Sequence, residues 1–159
     1  DEIQSQIEFT RVYQDLGSQQ PGWFVLDEVM PRSVFPVEIQ YMTDLHKFVL
    51  YGDPMLEKVF FNLLDNSVRH GECVTDIQVS AGDSDEGLVI IWEDNGTGIP
   101  AQEKEVIFDR GVGKNTGFGL FLVREILLLT GITIQENGIP GKGARFEIRV
   151  PKGVYRIVN

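Results

Sequence analysis

The stretch GKNTGFGLFLVREILLLTG, residues 113–131, places three glycines and a threonine at the approach to the most apolar helix that the chain predicts. Helices usually begin at Ser, Thr, Asp or Asn, and a glycine inside a helix costs about 1 kcal/mol relative to alanine. The glycines are explained if the backbone must come close to a ligand. Because the first amides of a helix are unpaired and lie at its positive end, the stretch predicts a binding site for an anion such as phosphate.

The composition limits the classes of partner. The chain has 159 residues, which fits one domain, and a net charge of −10, which argues against nucleic acid as a partner. An acidic protein that binds a polyphosphate must use backbone amides, a divalent cation or a few placed basic residues. A single cysteine, Cys73, excludes an internal disulfide and fits a reducing compartment, so we expect a cytoplasmic location, whether the parent protein is soluble or membrane-anchored.

No apolar run approaches the roughly 18 residues that span a bilayer, because Arg124 and Glu125 interrupt the longest one. We therefore expect no membrane contact by this segment. The polar start without an initiator Met suggests a piece of a longer protein, and GSQQPG at 17–22 suggests a domain boundary.

The periodicity of apolar residues predicts an α/β (α+β) two-layer sandwich, with one mixed β-sheet and about three helices on one face. Residues 3–15 predict the end of a helix with Ile3, Ile7 and Val12 as its apolar stripe. The other predicted elements are a short helix at 23–30, a hairpin of strands at 37–43 and 47–52, a helix from Asp53 to about Arg69, strands at 76–82 and 87–94, a short helix at 101–108, a helix after Gly119, and a hairpin of 132–137 and 144–150.

The helix from Asp53 carries polar residues on a face of their own. Asn62, Asn66 and Arg69 lie away from its core stripe, roughly a third of a turn around the helix. Amide oxygens suit a hard cation, and the arginine suits a phosphate. The alternative is that all three are solvated surface residues. Because asparagine is a poor helix former, two of them beside so apolar a stripe need a reason, and at this point both interpretations stay open.

The segment WEDNGTGIP, residues 92–100, follows a strand that is predicted to be buried. Asp94 lies where the strand ends, and Gly96 and Gly98 permit backbone geometry closed to other residues. The carboxylate could simply cap the turn, or it could accept the exocyclic amine of an adenine.

The glycine-rich approach to the last helix offers the backbone amides of Thr116, Gly117, Phe118 and Gly119 to a triphosphate, with Lys114 as a nearby cation. It is not a Walker loop, since no Lys-Ser/Thr follows the last glycine. Taken alone, it could be an ordinary turn into a helix.

In this order, the motifs resemble the ATP-binding domain of the sensor histidine kinases, in the family shared with gyrase, the mismatch-repair ATPases and heat-shock chaperones. The resemblance covers roughly residues 35–150. Its boxes are NLLDNSVRHG (the N box), DNGTGIP (first glycine box), IFDRGVG (F box), GKNTGFGLFLV (second glycine box) and GKGARFEI (third glycine box).

The resemblance implies ATP and Mg2+ as cofactors. It implies that Asn66 coordinates magnesium with the help of Asn62, that Asp94 binds the adenine amine, and that Asn62 and Arg69 act on the phosphates. Phe108 would pack under a short ATP lid at 109–116. The positions implied to contact the nucleotide are Asn62, Asn66, Arg69, His70, Asp94, Gly96, Gly98, Ile99, Phe108, Lys114, Thr116, Gly117, Phe118, Gly119 and Leu120. The departures are Phe118, where the family usually has Leu, and Ala144, where it commonly has Thr or Ser.

In the family that the chain resembles, the ATPase branch carries a glutamate one turn before the magnesium asparagine, and this glutamate activates water. The chain has Asn62 there, and an amide takes no proton at neutral pH. The resemblance therefore favours a protein-histidine kinase, in which ATP is positioned for attack by a histidine.

Neither His46 nor His70 fits the family's phosphoacceptor position, on an amphipathic helix beside an acidic residue. We therefore expect the acceptor on an upstream dimerisation domain, with residues 1–20 as the tail of its helix and a linker, and 21–159 as the catalytic domain. A response regulator receiver domain would act downstream, and the isolated domain would be monomeric. Two alternatives stay open: a serine/threonine kinase of the anti-sigma type, and a non-catalytic nucleotide-binding module.

Overall fold

The computed structural model describes residues 2–32, 37–41, 45–70, 72–109 and 119–159. Within them, the helices are α1 (Glu2–Asp15), α2 (Leu56–His70) and α3 (Gly119–Leu128). The strands are β1 (Gly22–Val25), β2 (Glu38–Tyr41), β3 (Phe48–Gly52), β4 (Asp76–Ser84), β5 (Gly87–Asp94), β6 (Thr133–Glu136), β7 (Arg145–Val150) and β8 (Tyr155–Ile157).

The larger sheet has five strands in the order β2-β4-β5-β7-β6. β2 runs parallel to β4, and the other neighbours are antiparallel, so that the sheet is mixed as predicted. β5 lies at its centre, with Trp92 opposite Val79 on one side and Phe146 on the other. Strands this apolar are expected at a buried sheet centre, and β5 carries Asp94 at its end.

A second, antiparallel sheet of three strands has the order β1-β3-β8. Two local predictions are therefore wrong. Residues 23–30 form β1 and then a 3-10 turn at Leu26–Val29 instead of a helix, because Gly22–Val25 pairs along its whole length with β3. The predicted hairpin of 37–43 with 47–52 does not form, since β2 pairs with β4 while β3 pairs with β1 and β8.

The helices α2 and α3 and the strand pairs β4–β5 and β6–β7 follow the predicted pattern. Asp53 precedes α2, and its Oδ1 accepts the Met55 amide at 2.9 Å, which satisfies one of the amides ahead of the helix. The predicted helix at 101–108 is shorter: a 3-10 turn at Ala101–Glu103, continued by turns.

The first helix packs against the last one. Phe9 and Val12 of α1 are buried, and the rings of Phe9 and Tyr13 lie 6.0 and 6.1 Å from the Phe121 ring of α3. The predicted stripe is thus wrong in two of its three members, because Ile3 and Ile7 are 71% and 55% exposed. Across the described residues, no helix has both the length and the apolar character that crossing a membrane requires.

Candidate functional site

Asp94, the last residue of β5, is the centre of the candidate site. Its side chain is almost entirely buried, and its Oδ1 accepts the backbone amides of Gly96 and Ala144, each at 3.0 Å. Its backbone N–H donates to the Ala144 carbonyl at 3.0 Å. The predicted turn after the strand is thus held on both sides by the aspartate. A buried carboxylate with this many amide donors is a well-satisfied acceptor.

Two further buried residues are linked to Asp94 by hydrogen bonds, one directly and one through the other. Ser67 Oγ donates to Asp94 Oδ2 at 2.8 Å, and Trp92 Nε1 donates to Ser67 Oγ at 3.1 Å. Neither Ser67 nor Trp92 has solvent exposure. The sequence analysis missed both, although Ser67 lies one residue after the predicted Asn66.

The turn after β5 lies directly against the β6–β7 connection. Gly98 has a φ of +78°, and a Cβ there would lie 3.0 Å from the Gly143 carbonyl oxygen and 3.1 Å from that of Ile139. The Gly141 amide donates to the Thr97 carbonyl at 2.7 Å. A Cβ on Gly143 would collide with the Asp94 carbonyl oxygen. The first and third predicted glycine motifs therefore meet here, and glycine is required by close backbone contact.

Asn95 fastens the other side of the same turn. Its Oδ1 accepts the amides of Thr75 and Asp76 at 2.9 and 3.1 Å, and its Nδ2 donates to Thr75 Oγ1 at 2.7 Å. The turn is thus tied to the start of β4 as well as to the β6–β7 connection, so that Asp94 is presented by a fixed segment of backbone.

A buried ion pair supports the β6–β7 connection. Glu136, whose side chain is fully buried, pairs with Lys104 Nζ. The other carboxylate oxygen of Glu136 accepts the amides of Gly138 and Arg145 at 3.1 and 3.0 Å. Glu136 therefore holds both ends of the connection that contacts Gly98, and the sequence analysis did not identify it.

Asn62 joins the second and third helices. Its Nδ2 donates to the Gly119 carbonyl at 3.1 Å, which leaves its amide oxygen free within the described part of the chain. The structure thus brings the predicted Asn62 to the start of α3. A Cβ on Gly119 would meet no described atom within 4 Å. The described residues therefore do not by themselves require a glycine at this position.

Asn66 and Arg69 follow on α2. Asn66 is half-buried, and its amide has no hydrogen-bond partner among the residues that the structure describes. Arg69 Nε lies 2.7 Å from Asp65 Oδ1, in a pair whose side chains are 59% and 57% exposed. Pairs this exposed contribute only about 0.2–1 kcal/mol. Arg69 is therefore held weakly and can pair with another anion at little cost. The next residue, His70, is half-buried and is the last residue of α2.

Several predicted positions support the site or lie outside the described residues. Phe108 is buried and meets the Phe146 ring edge-on, with centroids 6.2 Å apart. Ile99 and Leu120 are partly buried against the core. At Asp109, where the predicted lid begins, Oδ1 lies 3.8 Å from Nη1 of Arg124 in α3. The predicted Lys114, Thr116, Gly117 and Phe118, and the lid residues 110–116, lie outside the described residues.

The donor set fits a nucleotide. Asp94 has four acceptor positions and, among the described residues, three of them are used, so that one remains for an amine. Asn66 offers one hard oxygen, and among the described residues no three His, Cys, Asp or Glu side chains are grouped as metal ligands. An amide oxygen is a ligand type that Mg2+ accepts, and this ion binds through few protein oxygens together with phosphates and water.

Comparisons with known proteins agree with this geometry. Residues 52–154 match the model of a family described as histidine kinase-, DNA gyrase B-, and HSP90-like ATPase. The chain is 38% identical over 117 residues to the sensor protein PhoQ of Escherichia coli, covering 70% of this chain and 22% of PhoQ. It is also 38% identical over 101 residues to the alginate biosynthesis sensor protein KinB of Pseudomonas aeruginosa, covering 60% of this chain and 17% of KinB.

A similar solved structure is the ATP-binding domain of PrrB from Mycobacterium tuberculosis. The two share 27% identity and a TM-score of 0.68 over 84% of this chain and 98% of that one. The chain thus spans most of a separately solved domain but only about a fifth of the curated sensor proteins that it matches.

Proposed function

Because the chain belongs to the histidine kinase-, DNA gyrase B- and HSP90-like ATPase family and is the catalytic ATP-binding domain of a sensor histidine kinase, we propose that it binds ATP with Mg2+ and transfers the γ-phosphate to a histidine. The accepting histidine belongs to a dimerisation domain upstream in the parent protein, and a response regulator receiver domain takes the phosphoryl group afterwards. The observation that carries the proposal is Asp94, buried at the end of β5 with one acceptor position left for the adenine amine.

The residues divide the work of binding. Asp94 accepts the exocyclic amine, and the turn at Gly96 and Gly98 borders the adenine. Asn66 supplies an oxygen to magnesium, which neutralises charge on the phosphates when bound. The amides at the start of α3 and the guanidinium of Arg69 contact the phosphates.

Asn62 explains why a histidine, rather than water, receives the phosphate. Its Nδ2 holds the start of α3 through Gly119, and its amide has no basicity to activate water. Phosphoryl transfer needs chiefly positioning and electrostatic stabilisation, so that a site without a general base suits an external nucleophile.

Replacing the carboxylate tests nucleotide binding. Asp94→Asn puts an amide NH2 among donors, so we expect ATP affinity to fall by about 1.5–3 kcal/mol, or roughly 10- to 150-fold, by calorimetry with Mg2+. Asn66→Asp should change the magnesium dependence of binding instead. The matched control is Asp85→Asn, in the exposed β4–β5 turn, which should leave affinity unchanged. Folded wild type without ATP binding would overturn the proposal.

The acceptor is tested with radiolabelled ATP and a supplied dimerisation domain that carries a phosphoacceptor histidine. We expect acid-labile label on that histidine and none on the isolated chain. Acid-stable label on serine or threonine would instead support the anti-sigma-type kinase. Label on His46 or His70 of the isolated chain would contradict the upstream acceptor, and ATP binding without any transfer would indicate a non-catalytic module.

A further inference from the structure

Three buried side chains form a hydrogen-bonded line that ends at the adenine-binding carboxylate. Trp92 Nε1 lies 3.1 Å from Ser67 Oγ, which lies 2.8 Å from Asp94 Oδ2. Ser67 and Trp92 have 0% exposure and Asp94 has 8%. The line crosses from the sheet to α2 and back, since Trp92 and Asp94 belong to β5 and Ser67 to α2.

The chemistry of the three groups fixes the direction of both hydrogen bonds. An indole N–H can only donate, so Ser67 Oγ must accept from Trp92. The hydroxyl has one hydrogen, and the remaining partner is the Asp94 carboxylate, so it donates to Oδ2. Because Ser67 Oγ accepts from Trp92 and donates to Asp94, the two hydrogen bonds fix the orientation of the hydroxyl.

The other oxygen of Asp94 is held by two backbone amides, those of Gly96 and Ala144. The amides on Oδ1 and the hydroxyl on Oδ2 hold the carboxylate plane from both ends. The unused acceptor position is on Oδ2, beside Ser67. The group that recognises a ligand is therefore the oxygen that Ser67 orients.

We propose that Ser67, oriented by Trp92, is a positioning residue that selects the nucleobase. It holds Oδ2 of Asp94 in the orientation in which its remaining acceptor position meets the nucleobase. This favours a purine with an exocyclic amine and disfavours one with an oxo group at that position. This inference rests on the proposed nucleotide-binding function and adds to it how specificity is set. Without the hydroxyl, Oδ2 loses its buried donor, Trp92 loses its acceptor, and the carboxylate is held only through Oδ1.

The test compares ATP with purine riboside triphosphate, which lacks the amine, and with inosine triphosphate, which carries an oxo group. Competition binding to the same chain gives an affinity ratio for each pair of nucleotides. We expect Ser67→Ala to reduce the preference for ATP over purine riboside triphosphate about three- to tenfold, since the carboxylate is then less well oriented toward the amine and the hydrogen bond between them weakens. Trp92→Phe, which removes only the second donor, should reduce it less.

The ratio separates positioning from stability, because partial unfolding lowers the active concentration equally for every nucleotide. Matched controls make the same chemical changes elsewhere: Ser80→Ala in β4 and Trp23→Phe in β1, neither of which should alter the ratio. If wild type prefers ATP but both variants retain the full preference, the inference is overturned while the proposed function stands. If folded wild type binds no ATP, the proposed function fails and the inference with it.

Discussion

Among single residues, buried carboxylates show how a chain with a net charge of −10 keeps acidic groups inside its fold. Asp53, Asp94, Glu136 and Glu147 are each less than 10% exposed, and each accepts hydrogen bonds from different donors. Satisfaction by donors is what makes buried charge tolerable. The fold therefore accommodates these four carboxylates in its interior, whereas most of the remaining acidic residues among those described lie on the surface.

Glu147 should make stability depend on acid pH. Burial would raise the pKa of Glu147, but hydrogen bonds from Gln135 and Arg149 and the charge of Arg149 hold it below its usual 4.5. The unfolded chain therefore takes up the proton first as pH falls, so that the stability from Glu147 is present above about pH 4.5 and lost as pH falls through the lower folded-state value. In urea unfolding at a series of pH values, Glu147→Gln should lose less stability on acidification than wild type.

The control for this pH dependence is Glu86→Gln, at an exposed residue of the β4–β5 turn, which should follow the wild-type profile. Parallel profiles for Glu147→Gln and wild type would show that Glu147 does not contribute to the acid dependence.

At the level of elements, the site depends on the close backbone contact between the turn after β5 and the β6–β7 connection. Gly98 and Gly143 let the two backbones touch, and Lys104 and Glu136 hold the connection from the other side. Because Glu136 accepts from Gly138 and Arg145, the ion pair sets the position of the same connection that gives the Ala144 amide to Asp94.

Breaking this ion pair should destabilise the fold. Lys104→Met leaves the fully buried Glu136 without its cation, and an uncompensated buried charge costs about 3 kcal/mol or more. Chemical denaturation should show a lower free energy of unfolding, partly restored in Lys104→Met/Glu136→Gln. Lys142→Met, in the exposed part of the connection, serves as the control. Equal stability of Lys104→Met and wild type would mean that the pair contributes nothing.

Considered as a whole, the molecule joins its first helix to its nucleotide site through α3. Phe9 and Tyr13 of α1 pack on Phe121, and α3 begins at Gly119, which accepts a hydrogen bond from Asn62 of α2. A displacement of α1 would therefore act on the helix whose first amides are proposed to hold the phosphates. The assignment of residues 1–20 to a dimerisation helix and linker stays a prediction.

The packing of α1 against α3 can be tested by comparing two substitutions within α1. Phe9→Ala removes a ring that is 5% exposed, and truncating a buried phenylalanine costs about 3 kcal/mol. We expect the amides of α1 to exchange roughly 100-fold faster in hydrogen-exchange measurements, with β5 unaffected. Ile3→Ala on the same helix, where Ile3 is 71% exposed, should change little. The same effect from both substitutions would contradict docking through Phe9.

Local signals predicted the elements that form among near neighbours in sequence. The helix after Asp53, the β4–β5 pair and the β6–β7 pair have their apolar periods, caps and turns within short segments. The small sheet was missed because its strands are far apart: Phe48–Gly52 pairs with Gly22–Val25 and with Tyr155–Ile157 near the other end of the chain. Short apolar runs do not specify whether they form helix or strand when the partner is remote.

By itself, the sequence determined the motif order, the helix that carries Asn62 and Asn66, and the aspartate at the end of a buried strand. The tertiary structure alone decided how Asp94 is held. A serine inside a helix and a tryptophan inside an apolar strand carry no signal of their own, and they become a line of donors only because α2 packs on β5 and buries Ser67 against Trp92. Hydrogen bonds between distant segments depend on packing geometry, which no local pattern of residues encodes.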